Sequence, residues 1–88
     1  MKVFKYPLKL EDEQVIATPE HWDPLSVQEQ QGVICIWAIV DESAPINDGR
    51  KIYIRGTGHP LDPDVLDANF LGTCQTHNGQ FVWHIWES

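Results

Sequence analysis

FLGTCQTHNGQFVWHIWE, residues 70–87, holds two alternating stretches around Asn78-Gly79. An Asn-Gly pair in that setting is a strong hairpin signal, because a type I′ turn needs positive φ at both central residues. With that turn the register follows. His77 faces Gln80, Gln75 faces Val82, Thr73 faces His84, and Leu71 faces Trp86; these eight share one face of the ribbon. Phe70, Gly72, Cys74 and Thr76 share the other with Phe81, Trp83 and Ile85, which reads as the core side. A slip of one residue would exchange the faces of one strand. The ribbon thus carries an indole on each side, and Trp86, on the more polar side, needs a neighbour other than water: the N-terminal strand or short helix of its own chain, a subunit interface, or a ligand ring.

Upstream, VICIWAIVD (33–41) is apolar on both faces and reads as a central strand covered on both sides. RKIYIRG (50–56) alternates, with Ile52 and Ile54 opposite Lys51, Tyr53 and Arg55. VFKYPLKL (3–10) alternates loosely and contains Pro7, which suits an edge strand. EDEQVIATP (11–19) reads as a short strand ending at Pro19. HWDPLSVQEQQG (21–32) reads as a short helix, with Asp23 as its cap, Pro24 in its first turn and Gly32 at its end. ESAPINDG (42–49) and TGHPLDPD (57–64) read as loops, with Asp62-Pro63 opening one helical turn before Asn69. The expected fold is mainly β within the α+β class. It is an antiparallel sheet of about five to six strands with one or two very short helices and a C-terminal β-hairpin. Its 88 residues make one domain, 1–88.

The two helices would be too short to cover a strand that is apolar on both faces. A shortage of internal cover predicts cover from a second copy, so a homo-oligomer, a dimer by preference, is expected. Four Trp, three Phe and two Tyr supply much of the core. The longest apolar run, 33–40, falls far short of the ~20 residues that cross a bilayer. MKVFKYPLKL shows no long apolar segment before a small-residue cleavage site, which predicts a cytosolic protein without membrane association. Two cysteines, Cys35 and Cys74, are too few for a disulfide scaffold and read as small buried hydrophobes. The net charge of −7, with six basic residues against thirteen acidic, argues against direct nucleic-acid binding. It suits either solubility or a basic partner.

For chemistry, Arg55 ends a strand just before Gly56-Thr57-Gly58-His59. A lone cation, adjacent amide donors, the Thr57 hydroxyl and an imidazole make a candidate anion pocket. A surface ion pair explains Arg55 as well. Trp86, beside His84 and Thr73, or Trp37 would stack on a planar ring. Cys74-x-x-His77 has the spacing of a zinc pair, but the hairpin register turns Cys74 inward and His77 outward, so no metal is expected. No motif calls for a cofactor, and no nucleophile–base–orienter set is visible.

FKYPL, QQGVICIWAIVD, IRGTGHPLD and FLGTCQTHNGQFVWHIWE together resemble a family of small uncharacterised proteins encoded by tailed bacteriophages. GTGHPLD and FVWHIWE are the most specific parts of the resemblance, which runs over nearly the whole chain. It implies an accessory protein acting in the host bacterial cytoplasm, in a setting where such proteins counter host defence. It assigns no catalytic residues. Three functions follow as expectations. The first is capture of a nucleotide-like small molecule in an oligomeric pocket, without chemistry, through Arg55, Thr57, His59, Thr73, His84 and Trp86. The second is an acidic inhibitor that binds and blocks a host defence protein or nuclease, with DNA mimicry as one form. The third is a small hydrolase with His59 or His84 as base.

Overall fold

The computed structural model describes residues 1–88, apart from the side chain at position 48. Seven strands and one helical turn follow in the order β1 (Lys2–Pro7), β2 (Glu13–Pro19), β3 (Trp22–Gln30), β4 (Val33–Val40), β5 (Ile46–Gly56), α1 (Pro63–Leu66), β6 (Asn69–Thr76) and β7 (Phe81–Glu87). They form two antiparallel sheets, β1-β4-β3 and β2-β5-β7-β6. The mainly β, antiparallel expectation holds. The strands number seven and divide into two layers.

Residues 22–30 form a strand, and the helix expected over 21–32 is corrected. A helix of two turns has little stability of its own, whereas pairing with β4 satisfies the backbone along the whole segment. Trp22 faces Val40 and Val27 faces Ile36, and a bulge between Pro24 and Ser26 absorbs the break in alternation. Gln31 and Gly32 lie at φ 53° and 85°, so Gly32 serves a hairpin tip rather than a helix end. Likewise β5 begins at Ile46, within the expected 42–49 loop, because Pro19 and Thr18 of β2 pair with Ile46 and Asn47. Asp62 does cap α1, its Oδ1 accepting the Val65 N–H at 3.1 Å.

The closing hairpin keeps the expected register from Thr73 to Thr76, with Thr73 opposite His84 and Gln75 opposite Val82. His77, Asn78 and Gly79 have φ of 55°, 56° and 86°, and the Gln80 N–H donates to the His77 carbonyl at 3.1 Å. Beyond Thr73 a bulge between Phe70 and Gly72 shifts the pairing, so Phe70, not Leu71, faces Trp86. Phe70 leaves the core side and stands 57% exposed, while Leu71 packs against the core.

The core lies between the layers. Val27, Ile34 and Ile36 of one sheet meet Ile52, Ile54, Cys74 and Ile85 of the other, closed at the rim by Leu8. Each such aliphatic side chain contributes about 1.5–3 kcal/mol by leaving water. The cover sought for the inner face of β4 therefore comes from the second sheet of the same chain. At one end a polar staple ties the layers together. Trp22 Nε1–H donates to Glu87 Oε1 at 2.8 Å, Arg50 pairs with Glu87 Oε2 at 3.2 Å, and Arg50 Nε–H donates to the buried Thr18 hydroxyl at 2.7 Å. The chain between β5 and β6 crosses to the far side of β7 and carries α1, whose Val65 is fully buried.

Candidate functional site

β7 runs between β5 and β6, so its outward side chains are flanked on both sides. His84 lies opposite Arg55 on β5 and Thr73 on β6; Trp86 lies opposite Tyr53 and Phe70. His84 is clamped: its Nε2 lies 2.8 Å from the Thr57 hydroxyl and its Nδ1 2.9 Å from the Thr73 hydroxyl. Neutral imidazole offers one donor and one acceptor, and hydroxyls can complement both. Neither ring nitrogen is left with an open lone pair. The hydroxyl–imidazole–hydroxyl chain has the connectivity of a nucleophile, a base and an orienter. It differs from strong examples in lacking a carboxylate to stabilise an imidazolium, and the Thr57 N–H is bound to the Val82 carbonyl at 3.2 Å.

Trp86 is half-buried, its ring 5.4 Å from Phe70 and 6.2 Å from His84. It is neither enclosed by its own chain nor bare. Arg55, Thr57, Thr73, His84 and Trp86, five of the six positions singled out in the sequence, therefore share the outer face of the four-stranded sheet. Arg55 stands opposite His84 in the same row, but its guanidinium is engaged elsewhere. Its Nη1 donates to the Asp12 carbonyl at 2.6 Å and the Ile54 carbonyl at 2.9 Å, and Nη2 lies 3.9 Å from the Asp62 carboxylate. These bonds fasten the end of β5 to the 8–12 turn and the 57–62 loop.

His59 stands apart, at the end of the sandwich where the 8–12, 57–62 and 77–80 loops gather. Its Nδ1 accepts the Gly56 N–H at 3.2 Å, leaving Nε2–H directed away from that bond in the neutral ring. A Cβ at Gly56 would meet the imidazole at 2.8 Å, so glycine is what lets the ring lie there. From His59 a row of rings continues to Trp83 at 6.5 Å, Phe81 at 6.1 Å and His77 at 5.1 Å, each step between neighbouring ring centres. Trp83 is fixed by its Nε1–H, which donates to the Thr76 hydroxyl at 2.9 Å.

Three shallow cavities meet at His59. One of about 180 Å³ lies against Thr57, Phe81 and Trp83; one of about 380 Å³ lies between Asp12, Arg55, Leu61 and Asp62; one of about 230 Å³ is floored by Ile54 and Trp83 beside Leu10 and Asp12. Arg55 is the only Lys or Arg lining them. Sequence reasoning missed Trp83, Phe81 and Leu10 here. Trp83 and Phe81 fall on the core side of the hairpin, and only the loop positions reveal that this stretch of core side opens at a rim.

Both cysteines are buried, and burial pushes each thiol above its ordinary range. Lys5 opposes the shift at Cys35, and Glu29 adds to it at both. Among the described residues, no group of three or more His, Cys, Asp or Glu side chains is placed to hold a metal ion, and no helix is long and apolar enough to cross a membrane.

A family model described as "Domain of unknown function (DUF7352)" matches residues 1–88. The chain belongs to the DUF7352 family. No curated protein and no solved structure matches it.

Proposed function

We propose that this chain is a non-catalytic binding protein that takes a basic segment of a partner protein at its loop end. One observation carries the proposal. The ring row from His77 to His59 opens beside Asp12 and Asp62, while the one cation lining these cavities, Arg55, is committed to the chain's own carbonyls and lies 3.9 Å from the Asp62 carboxylate. Lys and Arg lay apolar stems and cationic heads on such surfaces, over aromatic faces and toward carboxylates. The net charge of −7 would draw that partner in and speed encounter. In the setting implied by the resemblance, a bacteriophage accessory protein in the host cytoplasm, the partner is a host defence protein, and blocking it needs no reaction.

The test is calorimetric titration with Lys/Arg-rich and Asp/Glu-rich peptides at several salt concentrations. Binding of the basic peptides alone, weakened by salt and by Asp12→Asn/Asp62→Asn or His59→Ala, is the expected result. Equal affinity for both peptide classes would overturn it.

A second reading is favoured by the cavity of about 180 Å³ walled by Thr57, His59, Phe81 and Trp83, whose rings offer stacking faces to a planar ligand. There the occupant is a nucleotide-like small molecule, held in an oligomer and released unchanged. A melting-temperature screen against nucleotides separates the two. A ligand recovered intact supports capture, and a cleaved one points to hydrolysis through Thr57 and His84.

A further inference from the structure

Among the described residues, no element covers the outer face of the three-stranded sheet. Its rows across β1, β4 and β3 are Val3–Ile39–Asp23, Lys5–Trp37–Ser26 and Pro7–Cys35–Gln28. Val3 is 54% exposed, and Trp37 and Ile39 are half-buried at the centre. β4 has no charged residue from Val33 to Val40. In a chain of net charge −7, these rows hold one carboxylate, Asp23, and one ammonium, Lys5. Like charge keeps two copies apart over most of the surface, but not here.

We infer that this face joins two copies of the chain in an isologous dimer whose two-fold axis runs along β4. Charge selects the axis. With the axis along β4, β1 of each copy lies over β3 of the other, and each Lys5 approaches the Asp23 of the opposite copy. With the axis across the strands, β1 would lie over β1 and bring the two lysines together. Lys5 and Asp23 sit one row apart, two residues or ~7 Å along a strand, within reach of a lysine side chain. Lys5 exchanges its exposed hydrogen bond to Gln30, 2.8 Å in the single chain, for that carboxylate.

Size sets the strength. Three strands at ~4.8 Å spacing and eight residues at ~3.3 Å give a face of roughly 14 by 26 Å. That is about half of the ~800 Å² per partner in a standard interface, so the dimer is reversible and concentration-dependent. It lies on a different sheet from His84 and Trp86 and does not depend on what the loop end binds.

Sedimentation velocity from low micromolar to near-millimolar chain concentration tests this. The wild-type mass rises from monomer to dimer. Val3→Glu and Lys5→Glu each weaken association tenfold or more, and Lys5→Glu/Asp23→Lys restores it. Phe70→Asp, on the other sheet's outer face, leaves it unchanged. Val3, Lys5, Asp23 and Phe70 are all exposed, and melting curves check that each variant stays folded. A wild type that is monomeric throughout overturns the inference, as does a dimer indifferent to Val3→Glu and Lys5→Glu or one lost on Phe70→Asp. A charge swap that fails to restore association overturns the axis, and with it the dimer as drawn.

Discussion

Glu87 is 8% exposed, and its carboxylate is shared between the Trp22 indole N–H and the Arg50 guanidinium. Removing the cation leaves a carboxylate with poor access to water. Arg50→Ala is therefore expected to cost about 3–5 kcal/mol, measured by urea unfolding. Arg50→Met/Glu87→Leu should recover part of that loss, because the charge and its desolvation disappear together while the Trp22 indole N–H loses its acceptor. Gly56→Ala acts differently. The added methyl displaces the exposed His59 ring, so stability should change by under about 1 kcal/mol while peptide binding at the loop end falls. The thiols set an alkaline limit. Folding holds Cys35 and Cys74 protonated beyond their ordinary range, whereas the unfolded chain ionises them near about 8.5. Stability is then full below that pH and declines as pH rises through it toward the folded values. Cys35→Ala/Cys74→Ala should flatten the decline in unfolding free energy between neutral and alkaline pH.

At the scale of elements, the β6–β7 hairpin depends on left-handed backbone at its tip. Gly79 lies at φ 86°, and a Cβ there would stand 3.1 Å from the Gln75 side-chain oxygen. Gly79→Ala should cost about 1–2 kcal/mol in thermal unfolding. That hairpin was legible because Asn78-Gly79 and clean alternation each specify the same register. β4 was legible as a central strand because eight consecutive apolar residues leave few other places to put it. β3 was not, since Asp23-Pro24 and Gly32 are equally good punctuation for a helix, and only the partner β4 decides between the two. The bulge at Leu71 was invisible for a related reason: both Phe70 and Leu71 are apolar, so neither marks the face to which it belongs. The candidate site divides the same way. Thr73, His84 and Trp86 follow from hairpin register alone, and Thr57 joins them because β5 pairs with β7. The commitment of Arg55 to the Asp12 carbonyl depends on a turn 43 residues away, which no local pattern encodes.

The whole molecule is two sheets whose strands interleave along the chain. β1, β3 and β4 build one layer, while β2, β5, β6 and β7 build the other. Most pairings thus close long loops before any contact rewards them. Refolding from denaturant should take milliseconds to seconds, read by tryptophan fluorescence in stopped flow. A microsecond phase carrying the full amplitude would contradict that topology.

β7 hydrogen-bonds to β5 on one side and β6 on the other, yet it is the last of the seven strands to be made. Until translation has passed Glu87, β5 and β6 have no common neighbour and Trp22 has no carboxylate to hold. A nascent chain stalled before that point leaves the β5 and β6 edges that face β7 without a strand to pair with.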